Sequence, residues 1–276
     1  MSAIPVTVLV LTRNEEKAIS GCLDSLSRFM QIIVVDSNST DLTTDISLSR
    51  GAEVVRFNWN GKYPKKKQWS LLLPQIRFEW ILFLDADERV SEDLAKEIQS
   101  VMTKNQPTGF TAYEIPLEYH FLGKKLSYGY QVKKISLLNR HKSWFQEFED
   151  LHISNMWEVE GHYQPRTSGT VGKLSAKIVH QDPDPLFDYF ARHNRYSDWE
   201  AELRMNASMQ KSVRKVRTKQ GALFDKFPGK PILFFIYSYI IKSGWRDGRV
   251  GLNYALALGF YYWQISVKVL EKKNHA

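Results

Sequence analysis

Cysteine is nearly absent: Cys22 is the only one in 276 residues. An internal disulfide is thereby excluded, and the chain fits a reducing compartment. A thiolate-rich zinc site is excluded as well. The spacings of His141, His152, His162 and His180 match no compact ligand motif. Long apolar runs are missing too. Pro231 to Ile241 is 11 residues, where a membrane-spanning helix needs roughly 20. Val250 to Val267 is uncharged over 18 residues but contains Asn253, Gln264 and two glycines. No basic segment precedes the apolar residues of Met1 to Val10, so no secretory leader is expected and the stretch reads as a strand. No Gly-x-Gly-x-x-Gly follows that strand and no Gly-Lys-Ser/Thr loop occurs, which removes the dinucleotide fingerprint and the phosphate loop.

A chain of this length can bury a sizeable core, as one large domain or a domain with an appendage. Its net charge of +8 is unevenly spread. Residues 206–276 hold 13 Lys and Arg against 3 acids, and the preceding 205 residues hold 25 against 27. The basic quarter points to an anionic surface, lipid or nucleic acid. This predicts one domain over 1–205 and a basic, amphipathic helical region over 206–276.

The most informative stretch is Ile81-Leu82-Phe83-Leu84-Asp85-Ala86-Asp87-Glu88. An uninterrupted apolar run suits a strand buried on both faces. Carboxylates at its carboxyl end would stand where open α/β sheets bind ligands. Asp85 and Asp87 are two apart, and hard oxygen ligands in that pattern suit Mg²⁺ or Mn²⁺ shared with a diphosphate. Ser91-Glu92-Asp93 then reads as a helix start.

Upstream, Val6–Leu11, Ile32–Asp36 and Ala52–Phe57 read as strands. Helices are expected between them, starting near Asn14 and Thr40. This βαβαβ alternation implies a parallel sheet with right-handed crossovers. Asp36 could accept a base N–H, and Glu15 could accept ribose hydroxyls.

Thr12-Arg13-Asn14-Glu15, Val34-Val35-Asp36-Ser37-Asn38-Ser39-Thr40-Asp41 and Leu84-Asp85-Ala86-Asp87-Glu88 resemble, in order and spacing, the family 2 glycosyltransferases of the GT-A fold. The resemblance is strong over residues 4–100 and weaker beyond. It implies a GT-A catalytic domain, a nucleotide-sugar donor, a divalent metal and inversion at the anomeric carbon. Thr12, Arg13, Asn14, Glu15, Asp36 and Ser39 would then hold the donor. Asp85 would handle ribose and metal diphosphate, and Asp87 the metal. Lys67 would meet the diphosphate, whereas Lys65 and Lys66 read as a solvated face. The family more often has Lys-Asn where this chain has Lys67-Gln68.

Further on, Tyr113–Leu117 and Ile135–Leu138 read as strands, with Arg140 a donor-phosphate candidate at the second one's end. Inverting transfer needs a base for the acceptor hydroxyl. Glu158 is the first choice, with Glu160 and Asp150 as rivals. Glu158 and Glu160 would share a face if they lie in a strand. His180 ends a strand from Leu174 and could approach the metal. Leu186 to Met205 reads as a helix capped near Asp184. It carries Arg192, Arg195, Tyr196 and Trp199 at i, i+3, i+4 and i+7, a stripe suited to phosphates.

Lys211 to Lys219 holds five bases and no acid, and aromatic-rich apolar stretches follow. That combination fits an in-plane, interfacial mode on an anionic membrane. The Gly244-Trp245-Arg246-Asp247-Gly248 turn and its aromatic helix resemble the bacterial lipopolysaccharide-core glucosyltransferase subgroup. The expectation is therefore a metal-dependent transferase, peripheral on the cytoplasmic face of the inner membrane, acting on a lipid-linked glycan with a UDP-sugar donor. Nucleic acid is not expected as a partner, because the bases lie beside apolar helices rather than interleaved across a sheet. The rivals are a non-catalytic nucleotide-sugar binder, a nucleic-acid-binding module, and a sugar nucleotidyltransferase, whose Gly-rich loop after strand one is missing.

Overall fold

The computed structural model describes residues 3–103, 109–148, 150–153, 156–160, 163–206, 209–210 and 229–275. The chain forms two compact units interleaved in sequence. Stretches 1–120, 131–146 and 164–183 make an α/β unit; 121–130, 147–163 and 184–276 make a second, largely helical one. A single division at residue 205 would fall at the end of a helix of the second unit.

The α/β unit opens with β1 (Ile4–Thr12), α1 (Ile19–Asp24), β2 (Phe29–Asp36), α2 (Thr43–Ser49) and β3 (Glu53–Arg56). Then come α3 (Lys66–Leu71), β4 (Trp80–Asp85), β5 (Glu88–Val90), α4 (Glu92–Thr103) and β6 (Phe110–Phe121). Beyond β7 (Lys124–Lys125), which belongs to the helical unit, follow β8 (Lys133–Asn139), β9 (Ser143–Trp144), β10 (Arg166–Thr167), β11 (Thr170–Lys173) and β12 (Ile178–His180). The main sheet runs β3-β2-β1-β4-β8-β6-β12-β5, with β11 also beside β6. Neighbours β3, β2, β1 and β4 are all parallel; β8 enters antiparallel to both β4 and β6. This is the mostly parallel, helix-flanked α/β sheet expected of a GT-A fold.

The strands form here because successive residues can be buried on opposite faces. Val8, Leu9 and Val10 of β1 and Ile33, Val34 and Val35 of β2 are all fully buried. Ser91 caps α4 as its sequence predicts: its Oγ accepts the Leu94 N–H at 3.2 Å.

Other boundaries differ from expectation. Asn14 does not start a helix. It has a left-handed backbone (φ 57°), and α1 begins only at Ile19. The second helix starts at Thr43, three residues after Thr40, where Asp41 Oδ1 accepts the Thr43 N–H at 3.0 Å. Of the strand predicted over 174–179 only Ile178 and Val179 are strand, in β12; Leu174–Lys177 is a connection that follows β11. Met156 to Glu160 is irregular, so Glu158 and Glu160 share no strand face.

The helical unit contains α5 (Leu186–Met205), matching its predicted bounds, and α6 (Lys230–Ile236). A wider π turn at Tyr237–Ile241 and a tighter turn at Gly244–Asp247 lead into α7 (Gly248–His275). Helix α7 packs on α5 and α6. Pro185, not Asp184, occupies the cap position of α5; Asp184 accepts instead from Arg192 Nη1 at 2.8 Å. The Lys211–Lys219 segment lies outside the described residues.

Candidate active site

Strand register brings the carboxylates to one sheet edge. Thr12 pairs with Asp36 across β1–β2, and Leu11 pairs with Asp85 across β1–β4. Neighbouring strands lie about 4.8 Å apart, so Asp36 and Asp85 flank the end of β1 with backbones about 10 Å apart. Carboxyl ends of parallel strands are where such sheets bind ligands.

Asp36 is 1% exposed and already engaged. Its Oδ1 accepts from Thr12 Oγ1 at 3.1 Å and from Ser39 Oγ at 2.5 Å; Oδ2 accepts the Ser39 N–H at 2.9 Å. These bonds hold the carboxylate in one orientation and leave acceptor capacity over. The loops after β1 and β2 are clasped together. Asn14 N–H donates to Ser39 Oγ, Asn14 Oδ1 accepts the Thr40 N–H, and Glu15 N–H donates to Thr43 Oγ1, all between 2.7 and 2.9 Å. Arg13 is exposed at this rim.

Lys65 and Lys66 overturn the solvated-face expectation: each is 1% exposed. Lys66 Nζ donates to the Thr12 carbonyl at 2.8 Å, tying α3 to the end of β1. Lys67 is half-buried and close enough to Asp85 to act on its charge. Gln68 has a scaffold contact, its Oε1 accepting the Phe145 N–H at 2.7 Å.

Around Asp85-Ala86-Asp87-Glu88 the structure adds a group that the motif does not contain. The β4–β8 register pairs Leu82 with Leu137, and three further residues put Lys134 opposite Asp85. Lys134 Nζ lies 2.6 Å from Asp85 Oδ2 and 2.5 Å from Glu88 Oε1. Glu88 is fully buried, and its Oε2 accepts the Asp85 N–H at 3.0 Å. Surrounding protein opposes ionisation of Asp85, but Lys134, and then Lys67, outweigh it and hold the carboxyl well below the usual range. Burial likewise opposes the Lys134 charge, but Asp85 and Glu88 outweigh it, so the ammonium is retained. Burial pushes Glu88 upward; Lys134 counters this and Asp85 reinforces it.

His180 pairs with Glu88 across β12–β5, which sets its ring beside Asp87. Its Nδ1 lies 3.4 Å from Asp87 Oδ1. Both atoms are buried, and neither completes a well-aligned hydrogen bond. Burial lowers the His180 pKa, but Asp87 and Glu88 outweigh it and raise it overall. Stacking on Tyr119, with ring centres 4.8 Å apart, fixes the imidazole. A buried carboxylate oxygen that accepts no hydrogen bond, paired at 3.4 Å with an imidazole nitrogen, suits a divalent cation, which the imidazole ligates only in its neutral form. Among the described residues no three His, Cys, Asp or Glu side chains gather as a complete ligand set. A cation here would therefore draw its other ligands from water or a bound diphosphate, the usual habit of Mg²⁺.

Of the predicted residues of the α/β unit, Arg140 stands away from this edge. Arg140 follows Asn139, which pairs with Trp80 at the amino end of β4, so it lies at the opposite end of that strand from Asp85. Its guanidinium reaches the Leu73 and Ile76 carbonyls at 3.3 and 3.5 Å. Within the helical unit, Asp150 is fully buried and its Oδ2 accepts from Trp199 Nε1 at 2.8 Å. Glu160 is fully buried, whereas Glu158 is half-buried. The expected stripe on α5 is split: Trp199 is 3% exposed, Arg195 is exposed, and Tyr196 lies against Trp157.

The residues missed by spacing are Lys66, Glu88 and Lys134. Lys134 was detectable only from an antiparallel pairing that no local pattern announces.

The model of the family described as "Glycosyl transferase family 2" matches residues 7–154, more than half of the chain. A lipopolysaccharide core biosynthesis glycosyltransferase, LpsC, of Rhizobium meliloti (strain 1021) is 23% identical over 98% of this chain and 93% of its own length. An uncharacterized glycosyltransferase of Rickettsia bellii (strain RML369-C) is 34% identical over 41% of this chain and 37% of its own length. Among solved structures, glucosyl-3-phosphoglycerate synthase from Mycobacterium tuberculosis, in complex with Mn²⁺, uridine diphosphate and phosphoglyceric acid, is 24% identical. That match covers 40% of this chain and 42% of that one, with a TM-score of 0.32, too low to support any argument. On the extent of the family match, this chain belongs to the family 2 glycosyltransferases.

Proposed function

We propose that the chain transfers a sugar, with inversion, from a nucleoside-diphosphate donor to a lipid-anchored glycan. The acceptor would be a lipopolysaccharide core or another cell-surface polysaccharide precursor at the cytoplasmic leaflet of the inner membrane. The near full-length similarity to LpsC supports the acceptor class. The observation that carries the reading is the alignment of Asp36, Asp85 and Asp87 on the ends of β2 and β4, with His180 against Asp87.

In this reading Asp36, oriented by Thr12 and Ser39, accepts from the base, and the rim of Arg13, Asn14 and Glu15 borders the nucleoside. Asp85 takes the ribose, and Asp87 with His180 holds Mg²⁺ or Mn²⁺. A bound cation would supply Lewis-acid neutralisation of the leaving diphosphate. Lys67 adds a fixed positive charge beside it. Glu158 removes the acceptor hydroxyl proton; of the three candidate acids it alone keeps appreciable exposed surface. Arg192, Arg195 and Tyr196 are proposed for phosphate contacts.

The direct test is a screen of nucleotide sugars, UDP-linked ones first, for metal-dependent binding or hydrolysis. Asp87→Asn should abolish transfer while circular dichroism stays native. Normal turnover by that variant would remove the metal role. Glu158→Gln should lose transfer yet keep donor affinity; an active Glu158→Gln passes the base to Glu160 or Asp150.

A further inference from the structure

The outward stripe of α7 is apolar where a water-facing helix would be polar. Leu256, Phe260, Trp263, Val267 and Leu270 recur at four- and three-residue steps, and each is 43–59% exposed. The stripe is about 21 Å long. It continues onto the start of α5: Phe190 meets Phe260 with ring centres 6.0 Å apart, and Leu186 and Phe187 are 40% and 80% exposed. Between the two helices runs a groove of about 480 Å³, lined by Phe121, Leu122, Leu186, Phe190, Leu256 and Phe260. That volume lies within the range of about 300–1,000 Å³ for sites that enclose a small ligand. A contiguous exposed apolar patch marks an interaction surface.

Charge decides what covers it. Arg249 is exposed one turn before Asn253 on the same stripe, Lys273 is exposed at its far end, and Lys242 and Arg246 are exposed just before α7. The described residues 229–275 hold seven Lys and Arg against two acids, Asp247 and Glu271. A second copy would set like charge against like, whereas an anionic leaflet sets opposite charges together. No helix among the described residues is long and apolar enough to cross a bilayer.

We infer that the α5–α7 face lies in the plane of an anionic membrane surface, and that its groove admits an acyl chain of a leaflet lipid. This rests on the membrane-side reading above and adds the contact face and the chain-binding groove.

The test uses the full chain with phosphatidylglycerol-containing vesicles whose acyl chains carry bromine, and phosphatidylcholine vesicles as control. Flotation should show binding to the anionic vesicles only. Bromine should quench tryptophan emission, and Trp263→Phe should remove part of that quenching. Leu256→Asp and Phe260→Asp alter exposed positions and should keep native near-ultraviolet circular dichroism and donor affinity. Each should weaken vesicle binding at least tenfold. Vesicle binding unchanged in both variants, or quenching unchanged in Trp263→Phe, overturns the inference. So does absence of vesicle binding together with a dimer that Leu256→Asp dissociates in sedimentation. Donor binding retained without vesicle binding sinks this inference alone; vesicle binding without any sugar transfer sinks the functional reading alone.

Discussion

Lys134 compensates for the density of negative charge at the end of β4. Asp85 and Glu88 would otherwise stand side by side, one of them fully buried, and like charges at that range repel strongly. A buried charge stripped of its partner is costly, about 3 kcal/mol or more. Lys134→Met should therefore lower unfolding stability by about that amount in urea titration. Lys134→Met/Glu88→Gln should recover much of the loss, because the stranded carboxylate is gone. Full stability in the single variant would show that Glu88 finds other support. Cys22 gives a second residue-scale test. Burial, and then Glu88, Asp87 and Asp85, push its thiol pKa far up. It should resist thiol reagents at pH 8 in the native state and react at once in denaturant.

At the scale of elements, the first half of the sheet was legible because its strands are doubly buried and read as apolar runs ending in carboxylates. Helix α5 was legible because its pattern is long. The short helices were not: in α1 and α2 the polar residues after each strand serve the loop clasp before any helix begins. Asn14 illustrates this, since a cap-forming residue is also one that tolerates a left-handed backbone. Lys65 and Lys66 were misread because a lysine triplet usually marks a wet surface, and only packing reveals that two of these are enclosed. In the helical unit, the turn into α7 depends on close backbone approach. A Cβ on Gly251 would run into the Gly244 carbonyl oxygen. Gly251→Ala should cost about 1–3 kcal/mol through overpacking, read as a lowered thermal midpoint.

For the whole molecule, the family and the aspartate edge were visible in the sequence, and the pairing of distant segments was not. His180 and Lys134 reach the acidic cluster through β12 and β8, which enter the sheet out of sequence order. Charge asymmetry was visible as a total, but the exposed stripe on α7 appears only once its other faces are packed on α5 and α6.

The alternation of the two units along the chain has a practical outcome. The polypeptide passes from one unit to the other five times, after residues 120, 130, 146, 163 and 183. Dissection by truncation is therefore ruled out. A fragment ending at any one of those points would carry part of one body without the segments that complete it. Limited digestion should give nicked but associated material or wholesale degradation, not a stable transferase core. Subunit-swapping experiments with relatives would need matched exchanges at several junctions at once.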